Sequence, residues 1–215
     1  MTGKTPTDTL KRKLRRARAG IFPVIAVLGL APGLAAGLSG CGVVVGAGAA
    51  TGIAAYQERG VEGAAEDLRI EIRVLDKWLN HDGSMVRKLG IDVYQSRVLL
   101  TGIADSEKMR ADAVRLTWQA AGVKEVLNEI KLPGEGGKTS LARDGWITAQ
   151  LKSKITFDQK IYAVNYFIET VNGVVYLIGT AQNQAELDRV TAHAKQLAYV
   201  NKVVSHVRIK KPKGS

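Results

Sequence analysis

One cysteine, Cys41, serves all 215 residues, so no internal disulfide is available and packing alone must hold the fold. Three histidines, His81, His193 and His206, fall in unrelated elements without ligand spacing. No Ser, His and Asp set, no paired carboxylates and no glycine-rich phosphate loop between strand and helix accompany them. Catalysis, a metal and a cofactor are therefore not expected. Aromatic residues make up only 6% of the chain, and no strand interleaves them with basic residues, which argues against stacking on nucleic acid. The last absence is of charge: no charged residue occurs between Arg18 and Glu58.

What surrounds that uncharged stretch gives it meaning. Seven Lys and Arg precede it, including Lys11, Arg12, Lys13, Arg15, Arg16 and Arg18, and apolar residues run from Ile21 to Leu38. This is the layout of an export signal over residues 1–40. Leu38-Ser39-Gly40-Cys41 resembles the lipobox of bacterial lipoproteins. The resemblance implies that the Cys41 sulfur receives a diacylglyceryl group, that the chain is cut before Cys41, and that the new amino terminus is acylated. A thiolate is the nucleophile that such a transfer requires. Acyl chains contribute ~0.8 kcal/mol per buried methylene, so several together hold a protein where one holds it only marginally. The same stretch is long enough for an uncleaved helix of about 20 residues, although Pro23 and Pro32 do not favour one. Arg15-Arg16 lacks the rest of a twin-arginine motif, so the general secretory route is expected. Gly42 stands where aspartate marks inner-membrane retention in enteric lipoproteins, which favours the periplasmic face of the outer membrane.

Removal of residues 1–40 takes away seven of the 31 basic residues and one of the 20 acidic ones, leaving 24 against 19. The net charge falls from +11 to near +5. A strongly basic whole-chain balance therefore says little about nucleic acid, while the remainder still suits an anionic lipid surface. Residues 41–63 open with a small, apolar, glycine-rich run, read as a tether that could also lie on the membrane or pair glycine-faced helices.

From Ala65 the chain repeats itself at an offset of 77 without a gap. Asp67 meets Asp144, Lys77 meets Lys154, Ile91 meets Ile168, Gly102 meets Gly179 and Val126 meets Val203. The expected domains are residues 64–132 and 142–210, with a linker over 133–141 and a basic tail over 211–215. In each, apolar residues four apart (Ile70, Val74, Trp78; Ile147, Leu151, Ile155) predict a helix with one buried stripe. Strand alternation follows at 98–102 and 174–179, and Asn172-Gly173 is a hairpin signal. A second helix is expected over about 106–121 and 184–198, capped by Asp105 or Ser106 and by Asn183. A last strand is expected over 124–131 and 201–209. The order helix, strand, strand, helix, strand makes an α+β fold: a three-stranded mixed sheet with two helices on one face.

Two such units, each with Val-x-Leu-x-Gly-x-Ala (Val98 to Ala104 and Val175 to Ala181) and a closing Gly/Tyr-Val-x-x-Val, resemble the BON domains of bacterial osmotic-stress and nodulation proteins. Asn128-Glu129-Ile130, Asp144-Gly-Trp-Ile-Thr148 and the lipobox extend the resemblance to dual-BON lipoproteins. Gly102 and Gly179 read as structural glycines, marking a bulge or a close backbone approach.

The two first helices differ on their outer sides. Trp146, Gln150, Ser153 and Phe157 cluster away from the buried stripe, where the first unit has Arg69, Arg73, Asp76 and Asn80. Aromatic rings sit at headgroup depth, and Lys152 and Lys154 flank this face. The resemblance implies that this helix engages anionic phospholipid, with Trp146 as wedge, Lys152 and Lys154 as charge partners, and Gln150 and Phe157 beside them. The competing reading packs Trp146 against the first domain or the linker. At the level of function, an envelope-integrity protein bound to phospholipid competes with a periplasmic scaffold for envelope-assembly or division proteins. Oligomeric state is not readable.

Overall fold

A computed structural model describes residues 54–135 and 140–211. The expected export signal, Cys41 and most of the expected tether lie outside the described residues.

The first buried stripe produces α1 (Gly60–His81), in which Ile70, Val74 and Trp78 are fully buried. A short α2 (Gly83–Lys88), capped by Asp82 whose carboxylate accepts from Ser84 N, is an addition to the expected order. Then come β1 (Leu89–Tyr94), β2 (Arg97–Gly102), α3 (Glu107–Trp118) and β3 (Glu125–Asn128). The second copy comprises α4 (Leu141–Phe157), a 3-10 turn at Ala163–Asn165, β4 (Tyr166–Val171), β5 (Val174–Ala181), α5 (Gln184–Lys195) and β6 (Lys202–Ile209). Ser106 and Asn183 are the caps of α3 and α5, each side-chain oxygen accepting from the N–H three residues on. Both helices stop three residues before the expected ends, at Trp118 and Lys195. Regular pairing in β3 also stops early, at Asn128, whose side-chain oxygen accepts from Ile130 N; an isolated bridge from Ile103 to Lys131 resumes it.

In each sheet the middle strand pairs antiparallel with the strand before it and parallel with the one after it, so that Val98 faces Val93 and Val126, and Val175 faces Thr170 and Val203. Gly102 sits opposite Leu89 and Gly179 opposite Tyr166, at the start of each hairpin. A Cβ on Gly102 (φ +100°) would stand 2.3 Å from the Lys88 carbonyl oxygen, and one on Gly179 would stand 1.9 Å from that of Asn165. Neither approach tolerates a side chain.

The repeated aspartate has a structural cause. Asp67 accepts from Gln95 N and Ser96 N, both at 2.8 Å, and Asp144 accepts from Asn172 N at 2.8 Å and Gly173 N at 2.9 Å. In each copy the buried carboxylate of the first helix satisfies the two turn amides of the hairpin. These turns hold both central residues at positive φ, including the non-glycine Gln95 (54°) and Ser96 (63°). Each aspartate thereby sets the rotation of its helix over its own sheet.

The middle strands bury both faces, which alternation alone does not convey: Val98, Leu99 and Leu100 are fully buried, as are Val175 to Ile178. One face meets the helices of its own copy. The other meets the sheet of the other copy, in a shared core of Tyr94, Leu99, Val171, Tyr176 and Ile178. Burial of each such side chain is worth roughly 1.5–3 kcal/mol, so the domains are packed as one body rather than strung on a linker. At one edge of this seam Arg97, almost wholly buried, donates to Glu125 and to the His206 carbonyl at 2.8 Å, and Arg208 closes on the same Glu125. At another, Arg59 lies 5.2 Å from the Tyr94 ring centroid and 5.0 Å from that of Phe167 while donating to Asp67 and the Val93 carbonyl. The residues before it are held too: Gln57 donates to Val164 O and Glu58 N to Asn165 Oδ1, both at 2.8 Å. The end of the expected tether is thus clasped by both domains.

Candidate functional site

Asp144, Ile147, Leu151 and Ile155 form the buried row of α4, locked in phase by the Asp144 turn contact. At about 100° per residue this turns Trp146, Gln150 and Phe157 outward together. Trp146 is 43% exposed and Phe157 83% exposed, about 16 Å apart along the axis. Gln150, Lys152 and Lys154 are exposed as well. Lys154 borders the Trp146 face. Lys152 does not: it stands about 120° round the helix, and its charge acts on Asp92 of the first domain. The structure therefore assembles four of the five expected residues on one face and places the fifth on the opposite flank.

The indole is not part of the interdomain core. Its ring meets Tyr199 of its own domain edge-on, with centroids 6.2 Å apart at 74°. The Arg143 guanidinium lies 4.7 Å from the same Tyr199 ring. Arg143 and Tyr199 were not among the sequence candidates, yet they complete a platform of two aromatic rings and a cation. A signal for Tyr199 exists in the repeat. Its backbone is left-handed, at φ +69°, where the matching first-domain residue is Gly122 at +96°. A bulky residue in that region costs on the order of 1–2 kcal/mol. The second copy accepts a strained aromatic where the first keeps glycine.

The corresponding face of α1 is saturated with charge. Glu66 accepts from Arg69 at 3.1 Å and Arg73 at 3.0 Å, and these arginines hold its carboxyl below the usual range. No aromatic residue stands there. The helices also differ in charge: α4 carries Arg143, Lys152 and Lys154 against Asp144, which is engaged with the hairpin.

Each histidine is paired with a carboxylate: His81 with Asp112 at 3.2 Å, His193 with Asp158 at 2.8 Å and His206 with Glu129 at 3.0 Å. Among the described residues no group of three or more His, Cys, Asp or Glu is placed to hold a metal ion. Also among them, no helix is long and apolar enough to cross a membrane.

Comparison with known proteins agrees with this architecture. The chain is 40% identical over 149 residues to the uncharacterized protein in the gshII 5' region of Anaplasma centrale, covering 69% of this chain and 97% of that one. It is 33% identical over 128 residues to a 21 kDa hemolysin of Actinobacillus pleuropneumoniae, covering 59% and 66%. To the outer membrane lipoprotein DolP of Haemophilus influenzae it is 27% identical over 170 residues, covering 78% and 87%. The BON domain model matches twice, over residues 66–134 and 143–211, one match to each helix-and-sheet unit. With two copies packed sheet to sheet, the chain belongs to the BON-domain family.

Proposed function

We propose that this is an envelope lipoprotein, acylated at Cys41, that lays the outer face of α4 on anionic phospholipid and so supports the integrity of the outer membrane from its periplasmic side. The observation that carries the reading is the divergence of two helices that hold the same place in the repeat. α4 turns Trp146 and Phe157 outward with Arg143 and Lys154 beside them, while α1 fills the same positions with paired charges. Trp146 at a membrane surface supplies an amphipathic ring at headgroup depth, Phe157 a second apolar contact, and each cation ~1 kcal/mol of attraction. Tyr199 stiffens the indole, so less freedom is lost on contact. Gln150 lies between the two rings and offers hydrogen bonds to headgroup oxygens. Lys152 adds to the long-range field without sharing the contact face. A relative named as an outer membrane lipoprotein supports the anchor and the location.

The test is co-sedimentation of the chain with phosphatidylglycerol vesicles and with phosphatidylcholine vesicles. Binding is expected to prefer the anionic vesicles and to fall at least ~10-fold in Trp146→Glu. Equal binding by Trp146→Glu would overturn the site. Metabolic labelling with a fatty-acid analogue, lost in Cys41→Ala, tests the anchor separately.

A further inference from the structure

The seam between the two sheets ends in a polar cleft that plays no part in the α4 face. Along β5 the side chains facing the seam are Tyr176, Ile178 and, at the end of the row, Thr180. Along β6 they are Val204, His206 and Arg208, the last two reaching Glu129 and Glu125 of the first domain. Both rows therefore turn from apolar to polar in the same direction, and Lys210 and Lys211 continue the chain past β6. There Thr180, Arg208, Lys210 and Lys211 line a cleft of about 240 Å³ together with Glu58 and Gln95 from the N-terminal half of the molecule. The first copy has no equivalent. At the offset of 77, Ile103 stands in place of Thr180, and Pro133-Gly134 in place of Lys210-Lys211.

Two features say what chemistry the cleft suits. The first is an unused donor. Thr180 is only 6% exposed, yet its hydroxyl has no hydrogen-bond partner; the fully buried Tyr94 hydroxyl approaches it without meeting hydrogen-bond geometry. Buried hydroxyls are paired in nearly all native sites, so an unpaired one in the wall of a cleft calls for an acceptor from outside. The second is charge. Arg208, Lys210 and Lys211 bring three cations to the lining against the single carboxylate of Glu58. That carboxylate accepts from Lys210 Nζ and from Gln182 Nε2, both at 2.8 Å, so the chain's own acid already takes up part of the place made for an anion. The planar guanidinium of Arg208 matches the oxygens of a phosphate, and the lysines add compact charge. The volume lies below that of pockets for drug-sized ligands, which limits the occupant to a small group. We propose that this cleft binds a phosphate group, the three cations taking its charge and the Thr180 hydroxyl donating to one of its oxygens. A soluble phosphate monoester and a phospholipid headgroup both present that group, and the test separates them.

The full chain is held in dodecylmaltoside micelles, which carry no phosphate, at an ionic strength fixed with potassium chloride. It is titrated calorimetrically with glycerol 3-phosphate, a monoester, and with glycerophosphoglycerol, the diester of a lipid headgroup without its acyl chains. One saturable site per chain is expected for at least one of them. Binding of the diester alone assigns the cleft to a lipid headgroup, and binding of the monoester alone assigns it to a soluble phosphate; binding of both assigns it to the phosphate itself. Thr180→Val keeps the shape of the side chain and removes the hydroxyl. It should weaken binding at least ~5-fold, with a thermal unfolding midpoint no lower than that of the parent. Glu58→Gln removes the competing carboxylate and should tighten binding by roughly 3–10-fold. Trp146→Glu should bind both probes as the parent does, which keeps this site apart from the α4 face. No saturable binding of either probe, binding unchanged by both Thr180→Val and Glu58→Gln, or binding lost in Trp146→Glu would each overturn the proposal.

Discussion

Asp92 offers a measurement that reads the seam directly. It lies on β1, two residues before Tyr94 on the same face of the sheet, and the charged groups acting on it come from three other elements: Glu169 of β4, Lys152 of α4 and Glu71 of α1. Burial first, then the like charge of Glu169, raises its carboxyl from 3.8 to about 7; Glu71 adds to the rise and Lys152 opposes it. The native protein therefore holds this proton more tightly than the unfolded chain does. Protonation favours folding, so the contribution is complete below about pH 4 and is lost as pH rises through 7. One unit corresponds to about 1.36 kcal/mol, which bounds the whole effect at ~4 kcal/mol. The part falling between pH 5 and pH 8 is ~2–3 kcal/mol by the same linkage. Partial solvent access and relaxation reduce this to ~1–2 kcal/mol. Asp92→Asn removes the titration while leaving the fold in place. Thermal unfolding of parent and variant should show their midpoints drawing apart between pH 5 and pH 8, the variant gaining at high pH by about 2–8 °C. Titrating groups remote from Asp92 cancel in the comparison. A gap independent of pH, or one that widens toward acid, would refute the argument.

Further expectations concern the turns, the glycines and the platform. Asp144→Ala strands two buried hairpin amides and should cost ~2–4 kcal/mol in denaturant unfolding. Gly179→Ala drives a methyl group into the Asn165 carbonyl and should cost at least ~3 kcal/mol. Gly145→Ala, with nothing within 4 Å, should gain ~0.5–1 kcal/mol in the same assay. Tyr199→Gly relieves a left-handed backbone and should raise stability by roughly 1 kcal/mol while weakening binding to phosphatidylglycerol vesicles several-fold. A variant that binds as well as the parent would remove Tyr199 from the platform.

Much of this architecture was legible in the residues themselves. Ile70, Val74, Trp78 and their counterparts fixed the first helices, because a four-residue rhythm has few other solutions. Asn172-Gly173 announced one hairpin; its twin at Gln95-Ser96 carries no such dipeptide and is held in shape by Asp67 from outside the turn. The Asp67 and Asp144 match was visible as a coincidence in the repeat, but its cause is tertiary. The seam was hidden for a related reason. A strand that buries one face on helices and the other on a second sheet reads as a plain apolar run, and nothing in Leu99 or Tyr176 says which partner covers it. On α4, spacing alone puts Trp146, Gln150 and Phe157 on one side of the helix, while Lys152 stands about 120° from Trp146 because adjacency in the chain is not adjacency on a helix. Tyr199 lies over fifty residues from Trp146 and meets it only through folding.

The clasp at Gln57 to Arg59 gives the molecule a mechanical character. Traction entering from the N-terminal direction reaches Gln57 and Glu58, which grip the second domain, and Arg59, wedged between the rings of both, before any turn of α1 is loaded. The force is shared across the junction instead of peeling one copy from the other. The two copies consequently move as a single handle, and the bearing of the Trp146 face follows whatever holds the chain before Gln57.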